Sequence, residues 1–222
     1  MGNHFCATAM KRALGALLIW SVMVAGGWAA GDPPNEDASA YAALLRQVKA
    51  FDHSVDFRAL RLAYAETVAY NPYETHSALR EQLYTAVRAE RYDQALQVAS
   101  AILDRNYLDI DTHFACVMLY RRTQKVDQAG YHRFVLQGLI NSILSSGDGV
   151  SPETAFTVIA LSEEYAILNL LGREVTKTAT LGAGGHTVDR METRDRKTGE
   201  IGVVFFNVDR PTGWLTKQMQ KK

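Results

Sequence analysis

The residues best suited to chemistry sit late in the chain. "GGHTVDRMETRDRKTGEIGVVFFNVDRP", residues 184–211, places His186 three positions before Asp189, two side chains that can share a proton or a metal ion. In an extended strand, residues three apart face opposite sides, so this pair cannot converge unless a bulge intervenes. A metal site also needs at least three such donors. His113 and Cys116 stand at i and i+3 of a helical stretch, with His132 on the following one. Zinc could use that set, but a fourth ligand is missing and the spacing matches no zinc pattern, so a packed, inert thiol is expected.

Other polar stretches read as structure. "SSGDGVSPE", 145–153, lacks the alternating oxygen ligands and closing Glu of a calcium loop, so Asp148 and Ser151 should bond their own backbone in a turn. "LGAGG", 181–185, enters a strand rather than a helix, and so offers no helix N-terminus to a phosphate. No Ser stands in a nucleophile elbow. Glu163 and Glu164 begin a helix, where the dipole favours negative charge. No catalytic, cofactor-binding or metal residue is assigned, and no cofactor is expected. The tyrosines of the first half (Tyr41, Tyr64, Tyr70, Tyr73, Tyr84, Tyr92, Tyr107, Tyr120 and Tyr131) could line a peptide groove on stacked helical hairpins, although ordinary packing with a wet hydroxyl explains most of them.

The elements that would position these groups follow from spacing. Ser39 can cap a first helix carrying Tyr41, Leu44, Leu45, Val48 and Phe51 on one side. Asp56 can cap a second, with Phe57, Leu60, Ala63 and Tyr64 inward, ended by Asn71-Pro72. Helices are predicted from Thr75 to about Glu90, Tyr92 to Asp104, Ile110 to Arg122 and Val126 to about Leu144. "RYDQA" at 91–95 and "KVDQA" at 125–129 recur at the tetratricopeptide period of 34 residues, although Leu83, Val117 and Arg133 fit that repeat poorly. Beyond Gly149 the chain turns β-branched and aromatic: "AFTVIAL" (155–161), "REVTKTATL" (173–181), "HTVDRMETR" and "EIGVVFFNVD" read as strands, with a short helix capped by Ser162 and ended by Gly172. The last strand is apolar on both faces and should be covered on both.

At the front, Lys11 and Arg12 precede the uncharged run "ALGALLIWSVMVAGGWAA", with Gly27 and Ala29 as the small residues before a cleavage site. That is a signal-peptide pattern, with cleavage after Ala29 or Ala30; the alternative is an uncleaved N-terminal membrane anchor. About 193 residues would then remain, enough for a substantial core. Loss of Lys11 and Arg12 turns a formally neutral chain slightly acidic, with no electrostatic footprint for nucleic acid. Cys116 would be the one remaining cysteine, so no internal disulfide is expected despite the exported compartment.

Taken together, "VDFRALRLAY" (55–64), "YNPY" (70–73), "GDGVSPETAFTVIALSEEYAILNLLG" (147–172) and "GHTVDRMETRDRKTGEIGVVFFNVDRPTGWL" (185–215) resemble the bacterial proteins of domain of unknown function 4919, over about residues 40–215. The resemblance implies an exported bacterial protein with a helical, repeat-like front and a β-containing end, and implies no activity, ligand or catalytic residue. The expected organisation is a signal peptide (1–29), a flexible linker (30–38), a helical repeat-like region (39–146), an α+β region packed on the helices (147–215) and a basic tail (216–222). The expected fold class is α+β, mainly α: tetratricopeptide-like helical hairpins followed by a small antiparallel sheet with one helix. The expected function is a periplasmic or secreted, non-enzymatic binding or scaffold protein of the cell envelope, with a protein or peptide partner and no membrane span after cleavage. The alternatives are an enzyme with a site at the helix–sheet junction, or a small-molecule or lipid carrier.

Overall fold

A computed structural model of the chain describes residues 36–221; the expected signal peptide and its cleavage site near Ala29 lie outside the described residues. Six helices come first: α1 (Glu36–Lys49), α2 (Phe57–Tyr64), α3 (Ser77–Arg88), α4 (Tyr92–Leu103), α5 (Ile110–Arg122) and α6 (Val126–Leu144). α1 begins ahead of Ser39, inside the segment read as a linker. Asp56 caps α2 as expected, its Oδ1 accepting the Ala59 amide at 2.9 Å, whereas α3 starts after Thr75 with no side-chain cap. The observed α5 and α6 coincide with the predicted spans.

The 34-residue period has a geometric counterpart. Glu90 and Gln124, at equivalent positions, both adopt left-handed backbone (φ 55° and 59°). The next amides reach back alike, Arg91 to the Ala86 carbonyl at 2.9 Å and Lys125 to that of Tyr120 at 2.8 Å. Small Ala95 and Ala129 are buried where each hairpin closes. Arg133, equivalent to buried Ala99, is exposed, so the likeness lies in the turn and its small residue.

After a 3-10 turn (Pro152–Thr154) come β1 (Phe156–Thr157), α7 (Leu161–Leu170), β2 (Arg173–Ala183), β3 (His186–Asp195), β4 (Ile201–Asn207) and α8 (Asp209–Gln220). The sheet order is β1-β4-β3-β2. β2–β3 and β3–β4 are antiparallel, but β1 runs parallel to β4, so the sheet is mixed rather than wholly antiparallel. β1 is far shorter than 155–161 because Ile159 is drawn out of the ladder. Its amide donates to Glu163 at 2.7 Å, and its carbonyl accepts the Tyr70 hydroxyl at 2.5 Å. Ser162 does not cap α7, which starts one residue earlier after Ala160; Gly172 does end it, in left-handed conformation (φ 69°).

α8 corrects the expectation of a single helix in this region, and it runs on into the stretch read as a basic tail (216–222). Pro211 and Gly213 mask it in the sequence. Proline is tolerated in a first turn, where its missing amide has no helical partner to lose. β4 also departs from expectation: Val204 and Phe206 are buried, but Val203 and Phe205 are half-buried and Ile201 is exposed, so the outer face is only partly covered.

Two apolar cores result. Leu83, Ala86, Ala95, Ala99, Ile102, Cys116 and Leu119 join α3, α4 and α5. The larger core unites α1, α2, α6, α7 and the sheet through Leu60, Val135, Leu139, Ile143, Ile167, Met191 and Phe206.

Candidate functional site

The groups singled out by type do not meet. His186 Nδ1 lies 2.6 Å from Asp209 Oδ2 at the start of α8, in a solvent-exposed pair. Asp189 is buried on the other side of β3. Asp148 stays in its own turn, accepting from the Val150 amide at 2.9 Å and the Thr154 hydroxyl at 2.5 Å, as expected of a turn residue. His113 and His132 do approach, Nδ1 to Nδ1 at 2.9 Å, while His113 Nε2 lies 2.8 Å from the Tyr107 carbonyl. A carbonyl only accepts, so His113 carries its proton on Nε2 and offers the Nδ1 lone pair, and His132 donates from Nδ1. Burial holds both imidazoles neutral, with pKa values pushed down to about 4. Burial likewise pushes the Cys116 thiol up to about 12, and no group of three metal-type donors occurs among the described residues.

What does gather is a polar seam between α7, α2 and the sheet, centred on consecutive residues Glu163 and Glu164. Arg61, 2% exposed, makes a bidentate pair with Glu163: Nε to Oε1 at 2.8 Å and Nη2 to Oε2 at 2.6 Å. Nη2 also donates to the Thr157 carbonyl at 3.0 Å, and Nη1 to Ser142 Oγ at 3.2 Å. The guanidinium thereby joins α2, α6, β1 and α7. Beside it opens a cleft of about 180 Å³, lined by Arg58, Arg61, Ser146, Asn207, Asp209 and Arg210, among others. Most of its positive charge is already matched: Arg61 by Glu163, and Arg210 by an ion pair with Glu66. Asp209 adds a negative charge to the lining, so the cleft makes no strong demand for an anion.

Glu164 turns the other way, toward β3. It is 1% exposed, and its Oε1 has no hydrogen-bond donor. Burial, then the neighbouring Asp189 carboxylate and a hydrogen bond to it, raise its pKa to about 9. Glu164 is therefore a neutral acid at neutral pH, sharing its proton with Asp189, whose Oδ1 also accepts the Thr180 hydroxyl at 2.5 Å. Tyr73, its ring 5.9 Å from that of Trp214, lies close enough that Asp189 and Glu164 add to burial in raising its own pKa. An acid hydrogen-bonded to a carboxylate can move a proton, but here the acid is sealed from solvent.

Sequence reasoning missed this seam by explaining Glu163 and Glu164 through the dipole of the helix they begin. A signal was present: four residues on stand Ile167 and Leu168, both buried, so both glutamates share the inward face of the helix. Arg61 gives the same sign, four residues after buried Phe57.

A family model described as Domain of unknown function (DUF4919) matches residues 35–217. No curated protein and no solved structure matches the chain.

Proposed function

The chain belongs to the DUF4919 family, and from that premise we propose that it is an exported, non-enzymatic binding or scaffold protein of the bacterial envelope. The observation that carries this reading is the separation of His186, Asp189 and Asp148 into three unconnected environments. The leader-like residues 10–30 support export. A protein or peptide partner is favoured by the apolar residues left outward on the hairpins. Tyr84 on α3 and Met118 on α5 occupy equivalent positions of the 34-residue period, both exposed, and exposed Phe114 lies one turn from Met118.

A photo-crosslinking residue at Phe114 or Tyr84, in the protein expressed from its own leader, tests the reading. A discrete adduct in the envelope fraction that disappears with Met118→Glu, together with mass loss matching cleavage near Ala29, is the expected outcome. Retention of the protein in the cytoplasm, or identical adducts with and without Met118→Glu, would count against it. The enzyme alternative draws its support from the Glu164–Asp189 pair. It requires that Glu164→Gln abolish a turnover, whereas the binding reading expects adduct formation to be untouched by that change.

A further inference from the structure

We propose that the free edge of β2 is a homodimer interface, pairing with the same edge of a second copy to make one continuous sheet. β2 is the end strand of the sheet, and residues Thr176 to Thr180 are exposed in an unbroken run.

Which backbone groups face that edge follows from the hairpin. Gly184 and Gly185 both have positive φ (60° and 81°) and are the two residues between the closing pair Ala183 and His186. In a two-residue turn of this kind the closing pair exchanges both hydrogen bonds, and bonded and non-bonded pairs then alternate. Ala183, Leu181, Ala179 and Lys177 thus turn their amides and carbonyls toward β3. Gly182, Thr180 and Thr178 turn theirs outward, to the side of β2 on which no further strand lies among the described residues.

A two-fold axis through Ala179 satisfies this edge. Thr178 exchanges both bonds with Thr180 of the second copy, and Thr180 with its Thr178. Threonine then faces threonine, a favourable cross-strand pair. Ala179 meets Ala179 at the axis, where a non-bonded pair brings Cα atoms to about 4.5 Å and a small side chain fits. Lys177 falls opposite Leu181. The neighbouring registers fit less well: an axis at Lys177 opposes two ammonium groups, and an axis at Thr178 runs Thr180 into Thr176, which lies in the bulge between Val175 and Lys177.

Lysines and bulges are the usual protections of an edge strand. Here both end at Lys177, and the stretch 178–182 beyond them has no charge, proline or irregularity.

Light scattering across a concentration series, on the purified chain, should show a reversible monomer–dimer equilibrium. Thr178→Pro removes an amide that points away from β3, so it should leave the unfolding midpoint in place at concentrations where the chain is monomeric, while raising the dimer dissociation constant at least roughly tenfold. Thr178→Val, which keeps the amide, should preserve the dimer. With Cys6 and Cys116 replaced by Ser, Ala179→Cys should oxidise to an intermolecular disulfide, since a non-bonded pair lies within disulfide range, and the equally exposed Glu174→Cys should not. A monomer at every concentration, a dimer indifferent to Thr178→Pro, or cross-linking equal at 174 and 179 would each overturn the proposal. None of these readouts depends on what the protein binds.

Discussion

Arg61 and Glu163 are nearly invisible to solvent, so each is tolerable only because of the other. Removing one partner of a buried pair leaves an uncompensated charge and costs about 3–5 kcal/mol. Arg61→Met should therefore lose stability in that range in denaturant titrations. The double variant with Glu163→Gln should lose clearly less than the sum of the single changes. Glu164 behaves differently. The folded chain keeps its proton up to about pH 9, while the unfolded chain releases it near the ordinary carboxyl value of about 4.3. Over that window the native state binds more protons, so this group's contribution falls as pH rises. Glu164→Gln, a permanent mimic of the neutral acid, should raise stability at pH 8 by at least about 1 kcal/mol and flatten the decline. The histidine pair has the opposite slope. The unfolded imidazoles take up protons near pH 6.5 and the folded ones only near about 4, so stability drops on acidification between those values. His132→Asn, which can still donate to His113, should weaken that acid dependence in unfolding curves taken at pH 4.5 and 7.

Helix α6 carries two glycines with contrasting surroundings. A β-carbon at Gly138 would lie 2.2 Å from the Phe57 ring of α2, whereas one at Gly130 would meet nothing within 4 Å. Gly138 thus allows α2 and α6 to pack closely. Gly138→Ala should be destabilising by about 1–2 kcal/mol despite alanine's better helix propensity. Gly130→Ala should gain up to about 1 kcal/mol, and thermal melts of the two variants should move in opposite directions. At this scale the sequence was legible wherever periodicity and turn chemistry agreed. α5 and α6 could be placed from spacing, and the hairpin glycines from their type. β1 was over-extended because a β-branched, apolar run says nothing of the Glu163 carboxylate and Tyr70 hydroxyl that claim the backbone of Ile159. The polar seam stayed hidden because Glu163 and Glu164 look alike in sequence, while one meets a guanidinium and the other a carboxylate, contacts made across more than a hundred positions of chain in the first case.

For the molecule as a whole, the division into two cores predicts uneven local stability. The α3–α4 hairpin packs on α5 through the smaller core, while α6 and β3 belong to the larger one. Amide exchange followed by mass spectrometry should show α3 and α4 opening first and α6 and β3 last; uniform protection would contradict the two-core description. Helical hairpins packed on separate cores could in principle open one at a time. The guanidinium of Arg61 forbids it here for the central elements. Its bonds run to Ser142, Thr157 and Glu163, so it rivets α2 to segments synthesised 81 to 102 positions later. A nascent chain halted after α6 would hold the Arg61 cation with no counter-ion yet made, so α2 and α6 can close around it only once α7 has been synthesised.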